Sequence, residues 1–323
     1  MNRREFITLL SGATVAMTAA GKASAQLAGK TYRLGVLVQG QRNAAHWIAF
    51  FEELRKQGFF EGVNLTVVDE FNVSLDQAES AATTMVNGRP DAIVTAGALT
   101  RVLQRVTETI PVLTVSDDLL AEKVVTSLAH PDGNATGISI LATELDGKRQ
   151  EILLEAFPGT QRIAILADNG VTTRGQLQAL EGAARARGIA VSTHVVRHTD
   201  DIIPAIEAAL SAGAQALNVL ASSLLNRSRT RIIERMAMVR LPAIYQWPET
   251  AEEGGLIAYG PRFVTVYRQQ ALQVAKVLKG VRPADIPIEQ PTKFELVVNL
   301  KAAKATGLTI PPSLLLRADA VIE

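Results

Sequence analysis

The sequence predicts an α/β protein of two doubly wound parallel-sheet lobes joined by a hinge. Three observations carry this. Short apolar β runs alternate with amphipathic helical runs, the pattern of parallel strands covered by helices. The rhythm pauses at residues 127–140, where Pro131-Asp132-Gly133-Asn134 gathers turn-forming residues, and then restarts. At 323 residues the chain is also long enough for two domains of ordinary size. We therefore expect residues 127–140 to be the hinge, with a cleft between the lobes. The alternative is an ordinary surface turn inside one large domain.

Each element follows from its own pattern. Residues 32–38, YRLGVLV, form a buried-strand run ending at the polar corner Gln39-Gly40-Gln41. A helix over 44–57 places Trp47, Phe51 and Leu54 on one face. A second strand covers 65–71, and Ser74 with Gln77 forms a capping box for a helix striped by Leu75, Ala78, Ala82 and Met85. A third strand, 92–96, ends in Gly97 and a helix through Thr107; a fourth, 112–115, ends in Ser116-Asp117-Asp118. Beyond the turn a helix spans 143–156. A strand over 162–167 then runs into Asp168-Asn169-Gly170 and a helix that Thr173 and Gln176 can cap. Strand 190–196 precedes a helix capped by Thr199, with Ile203, Ile206 and Leu210 inward. Strand 214–220 leads through Ala221-Ser222-Ser223 to a basic helix ending near Val239. Short strands at 243–245 and 256–259 and a helix over 263–278 complete the second cycle.

Composition narrows the class. Hydrophobic residues make up 47% and charged residues 20%, the balance of a folded globular chain. The first 25 residues read as a cleaved export signal: Arg3-Arg4 precede a short, mildly apolar run, Ala23-Ser24-Ala25 supplies the cleavage pattern, and NRREFI has the twin-arginine form. The apolar run is too short to span a bilayer. Its removal takes away Arg3, Arg4, Lys22 and Glu5, which leaves the rest near neutral and gives no sign of a nucleic-acid partner. There is no cysteine, so disulfides, thiolate metal sites, a cysteine nucleophile and a lipid-modified N-terminal cysteine are excluded. An exported, unanchored periplasmic protein is expected, and a monomer.

In parallel sheets ligands sit beyond the carboxyl ends of the strands. That rule selects Gln39 and Asn43, Gly97 and Thr100, Ser116 and Asp117 from the first lobe. It selects Asp168, Asn169, Ser222, Tyr245 and Trp247 from the second. Asp117 could accept bonds from a ligand ammonium group or offset the dipole of a following helix turn. Gly97, Thr100, Ser222 and Ser223 stand at helix starts, where free amides attract an anion, though simple capping uses the same residues. Tyr245 and Trp247 offer stacking surfaces or lobe-edge packing, and for Tyr259 packing is the better reading. Arginines 227, 229, 231, 235 and 240 read as a solvated helix face.

The signatures of the common enzyme classes are missing from the sequence. It contains no phosphate loop of the form G-x-x-x-x-G-K-[ST], no G-x-G-x-x-G, no G-x-S-x-G and no H-E-x-x-H. His194 and His198 flank a strand end, and His46 and His130 are isolated, so neither a metal site nor a catalytic triad is expected. No cofactor is implied.

Four segments resemble the ABC-transporter substrate-binding family, in the group that includes tryptophan- and other aromatic amino acid-binding members. They are RREFITLL from Arg3, SLAHPDGNATGIS from Ser127, LPAIYQWPETAEEGGLIAYG from Leu241, and the final stretch from Gln290, QPTKFELVVNLKAAKATGLTIPPSLLLRADAVIE. The resemblance implies a type I, leucine-binding-like periplasmic binding protein without enzymatic activity. Such a protein captures a small polar solute, of the kind of an amino acid or small carboxylate, and delivers it to a membrane permease driven by a separate ATPase. A sensory module reporting a ligand to a receptor is the alternative. The chain departs from the family at three cleft corners: Asp117-Asp118-Leu119, Gly97-Ala98-Leu99 and Asp168-Asn169-Gly170. The resemblance also implies discontinuous lobes, residues 30–138 with about 263–284 and residues 139–262 with about 285–323, the tail from Thr292 bracing the hinge.

Overall fold

The computed structural model describes residues 30–323; the export signal expected over residues 1–25 lies outside the described residues. The first sheet has five parallel strands: β1 (Tyr32–Leu37), β2 (Leu65–Glu70), β3 (Ala92–Ala96), β4 (Val112–Ser116) and β5 (Ala135–Ser139), in the order β2-β1-β3-β4-β5. Helices α1 (Ala45–Lys56), α2 (Ala78–Asn87) and α3 (Leu99–Val106) connect them. Alternation along β3 decides the two cores: Ala92 and Val94 join Trp47 and Phe50 of α1, while Ile93 joins Met85 and Leu103 of α2 and α3.

The second sheet holds β6 (Arg162–Asp168), β7 (Ala190–Val196), β8 (Ala216–Val219), β9 (Ala243–Tyr245), β10 (Ile257–Gly260), β11 (Glu295–Asn299) and β12 (Ala320–Ile322), in the order β12-β11-β10-β9-β8-β6-β7. Its helices are α4 (Leu145–Ala156), α5 (Arg174–Arg185), α6 (Ile202–Ser211), α7 (Ser223–Arg227), α8 (Arg229–Val239) and α9 (Pro248–Glu252). Helices α10 (Phe263–Leu278), α11 (Leu300–Thr306) and α12 (Pro312–Leu315) follow. Along β6, Ala164 and Leu166 face a core with α6 and α8, and Ile163 faces one with α4 and α12. Strand β11 pairs antiparallel with β10, and β12, parallel to β11, runs in the same reversed direction.

The chain passes between the lobes three times. It leaves β5 for α4 through residues 140–144, leaves β10 for α10 through 261–262, and returns from the first sheet to β11 through 290–294. Helix α10 is bound to the first sheet although it follows the second. Its buried Gln270 donates to the carbonyls of Thr95 and Leu113, and Gln273 donates to that of Gly137. The Glu289 amide donates to Gly137 and its carbonyl accepts the Ser139 amide, so the chain stays with the first sheet slightly beyond the boundary expected near 284.

Three local expectations are corrected. The Pro131–Asn134 cluster is a surface turn at the amino end of β5, remote from the strand ends that face the second lobe; only Ile140, at the end of the stretch, enters a crossing. It is pinned there by Asn134 Nδ2, which donates to the carbonyls of Thr107 and Ile110. The tail from Thr292 begins within the third crossing and then extends the second sheet through β11 and β12. Thr199 starts a 3-10 turn, and the carboxylate of Asp201 caps that segment by accepting the amides of Arg197 and His198. Thr173 caps α5 as expected, its hydroxyl accepting the Gln176 amide, whereas α2 starts only at Ala78. The Ser74 hydroxyl accepts the Gln77 amide in the turn before it and donates to the Gln77 side chain, so the reciprocal box is not formed.

Candidate functional site

The carboxyl ends of the two sheets face each other, and their corners touch. Arg227, at the end of α7, donates from Nη1 to Gln39 Oε1 at 2.7 Å, across the lobes. Gly97 sits at φ +55°, and a Cβ there would lie 3.3 Å from Ser223 Oγ of the facing lobe. This corner needs glycine twice over, for the left-handed backbone and for the approach.

Not every corner residue faces the opposite lobe. Thr100 is fully buried, its hydroxyl 2.6 Å from that of Thr114, so it fastens α3 to β4. Ser116 donates to the carboxylate of Glu122 at 2.6 Å and is engaged within its own lobe. Ser222 caps α7 by accepting the Leu225 amide at 2.9 Å, while Gln246 takes its amide and carbonyl. Ser222 thus takes the capping role, the alternative its position offered, while Thr100 neither caps α3 nor faces the cleft. Tyr245 is buried in the second core with Met236 and Val297, because alternation along β9 turns it toward α8. It offers no stacking surface to the cleft, and burial pushes its hydroxyl pKa up. Asn43 and Asn169 are exposed at their corners.

Asp117 and Asp168 are the carboxylates at the strand ends. Asp117 Oδ1 accepts the Thr143 amide at 3.1 Å, which ties β4 to the first crossing. Burial, with like-charged Asp146 adding to it, raises the Asp117 pKa to about 6 against the pull of the Thr143 bonds. Asp168 Oδ1 accepts the Gly170 amide at 2.8 Å; burial pushes the Arg227 pKa down, and the charge of Asp168 opposes that fall. At the second crossing Trp247 leaves its own lobe to join the first core, its ring 4.5 Å from that of Phe263. Its indole N–H is buried without a partner among the described residues. His46 stands 4.6 Å from Phe263 and 4.5 Å from Tyr267, and burial, helped by Arg229, pushes its pKa down to about 4.

Behind the corners lies a buried ion pair. Arg149 and Asp146, both fully buried on α4, meet at 2.5 Å. Asp146 also accepts from the Ala221 amide at 3.2 Å and from Gln176 Nε2 at 2.5 Å. Burial raises the Asp146 pKa and Arg149 opposes the rise.

A family model described as ABC transporter substrate binding protein matches residues 36–322. The chain belongs to this family. Two solved structures share the arrangement of this substrate-binding protein. A conserved domain protein from Vibrio cholerae O1 biovar El Tor matches with a TM-score of 0.82 at 23% identity, over 90% of this chain and 100% of its own. An ABC domain from Streptococcus pneumonia, solved in complex with L-Trp, matches with a TM-score of 0.81 at 20% identity, over 91% and 100%. These likenesses establish the fold, that of type I periplasmic binding proteins. An uncharacterised protein of Rickettsia prowazekii is 24% identical over 150 residues, 46% of this chain and 49% of that protein; the match spans about half the length of that curated relative. The family is one of solute-binding proteins, in general not enzymes. Among the described residues no helix is long and apolar enough to cross a membrane.

Sequence reasoning missed four residues that bear on the cleft of this substrate-binding protein. The sequence pattern puts Arg227 on a solvated helix face, leaves His46 isolated, and gives Asp146 and Arg149 no role. The signal for the pair was present: positions 146, 149, 150 and 153 form one helical stripe, and polar residues on a stripe that continues as buried Leu153 must find partners inside.

Proposed function

We propose that this chain is the solute-binding component of an ABC importer. It acts outside the cytoplasmic membrane after export by the signal over residues 1–25, unanchored and as a monomer. A small polar solute, of the kind of an amino acid or small carboxylate, enters between the lobes. Hinge closure buries it, and the closed protein delivers it to a membrane permease driven by a separate ATPase. The moving bodies are residues 30–138 with 263 to about 289 and residues 139–262 with the tail.

The observation that carries this reading is the meeting of strand-end corners from both sheets, at Gln39–Arg227 and Gly97–Ser223, in a chain of this family. In our reading Gln39, Asn43, Gly97 and Asp117 contact the solute from one lobe, and Asp168, Asn169, Trp247 and Arg227 from the other. Carboxylates and a guanidinium on facing walls suit a solute bearing charges of both signs. A buried polar group left unpaired by a wrong ligand costs about 1–3 kcal/mol, which is the source of selectivity. The relative solved with L-Trp makes amino acids the first class to try.

The test is a thermal-shift panel of free amino acids and small carboxylates on the chain from Gln26, with calorimetry on any hit. Binding at 100-fold over Kd adds about 2.7 kcal/mol, so melting rises with the concentration of one compound. Asp117→Ala weakens that compound's binding while the lobes stay folded. A hit whose affinity is unchanged in Asp117→Ala removes Asp117 from the site, and turnover of a bound compound would overturn the non-enzymatic reading.

A further inference from the structure

The Asp146–Arg149 pair does more than satisfy itself. Arg149 Nη2 donates to the carbonyl of Ala142 at 2.5 Å and Nη1 to that of Tyr259 at 3.1 Å. Ala142 lies in the first crossing between the lobes, and Tyr259 stands just before the second. One buried guanidinium therefore grips two of the three strands about which the lobes would turn. Its partner Asp146 reaches the opposite way. One carboxylate oxygen takes the Ala221 amide, next to the Ser222-Ser223 corner that meets Gly97. The other takes Gln176 in the first turn of α5, beyond the Asp168 corner. Asn218 at the end of β8 closes the set by donating to the Asp146 carbonyl at 3.3 Å.

We infer that Arg149 and Asp146 are positioning residues that fix the pivot of lobe closure and tie it to the solute-facing corners of the second lobe. Both are fully buried and neither touches the cleft. The inference rests on the closure reading above, yet concerns the hinge rather than the solute. Arginine suits the task because a planar fork reaches two carbonyls in fixed directions. A lysine keeps the charge beside Asp146 but presents its donors from a single atom, without the spaced fork that reaches both carbonyls in fixed directions. With one carbonyl released, the crossings bend over a wider range, and the second lobe samples orientations that the native protein excludes.

The chain has no cysteine, so cysteines introduced at exposed Asp76 and Arg174, one per lobe, give a clean pair of spin labels. Inter-lobe distances are measured by pulsed electron spin resonance on the full exported chain without added ligand, and again with L-tryptophan as probe. The expected result for Arg149→Lys is loss of the narrow distance components of the native background and their replacement by a broader distribution. A purely structural role would lower the melting temperature and leave the distances unmoved. Should the lysine variant not fold, the paired change Asp146→Asn with Arg149→Gln removes both charges together and leaves no orphan ion. The same broadening is expected of it. Variant distributions that superimpose on the native one overturn the inference alone. A single native distance that persists with a compound shown by calorimetry to bind the native chain overturns lobe closure itself, and the inference with it.

Discussion

The two crossings from the first lobe into the second and back are held by opposite chemistry. The first, residues 140–144, is set in directional polar bonds: Asp117 takes the Thr143 amide and Arg149 takes the Ala142 carbonyl. The second is flanked by rings, with Trp247, Phe263, His46 and Tyr267 in contact around the start of α10. Directional bonds fix an angle, because their strength falls steeply with misalignment. Ring contacts are worth about 0.5–1.5 kcal/mol each over a broad range of tilts, so they hold proximity more than orientation. The difference teaches that one crossing sets the geometry of closure while the other keeps the lobes in touch as they turn. Arg149 reaches from the polar side to Tyr259 and joins the two.

Breaking the polar side gives the largest effect. Arg149→Ala strands Asp146 as a buried charge and frees two carbonyls, and a loss of about 3–5 kcal/mol is expected in denaturant unfolding. The same cut to the aromatic side has no orphan ion to leave behind.

A pH titration sharpens the contrast, because the two sides respond with opposite sign. His46 has a folded pKa near 4, below its usual value of 6.5. Its contribution is present above pH 6.5 and is lost as pH falls toward 4, by about 3 kcal/mol in full. His46→Phe removes that acid loss and flattens the profile between those limits. Asp117 has a folded pKa near 6, above its usual 3.8. Its contribution is present below pH 3.8 and is lost as pH rises through 6, by about 2 kcal/mol after allowance for partial exposure. Asp117→Asn accordingly unfolds at higher denaturant than the native chain at pH 7, and matches it near pH 4. Equal slopes in native and variant chains would contradict the burial of either group.

The smallest change bears on the contact between the lobes. Gln39→Ala removes the acceptor of Arg227, and because that bond is solvent-exposed the stability cost is at most about 1 kcal/mol. Its signature is a rise in the open population seen by solution scattering, with the melting temperature nearly unchanged.

Much of this architecture was legible in the sequence. The nine strands expected between Tyr32 and Tyr259 are β1 to β4 and β6 to β10, because buried parallel strands in this chain are short apolar runs bounded by corners. Strand β5, ATGIS, escaped notice because it is poor in large apolar residues; Gly137 lies so close to the Thr114 backbone that a Cβ would fall 1.9 Å from its carbonyl oxygen. Strands β11 and β12 were hidden in a tail whose partner, β10, lies 35 or more residues earlier. At the site, position in the chain identified the corners, but not which way a side chain turns. Alternation sent Tyr245 into the core, a local cap consumed Ser222, and a bond to the Thr114 hydroxyl consumed Thr100. The Asp146–Arg149 pairing is local, but its contacts with Ala221 and Tyr259, and that of Arg227 with Gln39, span 75 to 188 residues, a distance over which a single sequence carries no pairing signal.

The account stands on closure of the two lobes over a small solute, and native mass spectrometry of the exported chain and its Gly97→Val variant tests that most directly. Valine at this corner meets both a positive φ and the Ser223 hydroxyl, so it keeps the lobes apart. The native protein is expected to carry one small adduct, released on denaturation, and the variant to carry none while remaining folded. An adduct held equally by both proteins, or none on the native protein before or after incubation with the amino acid and carboxylate panel, would contradict the account.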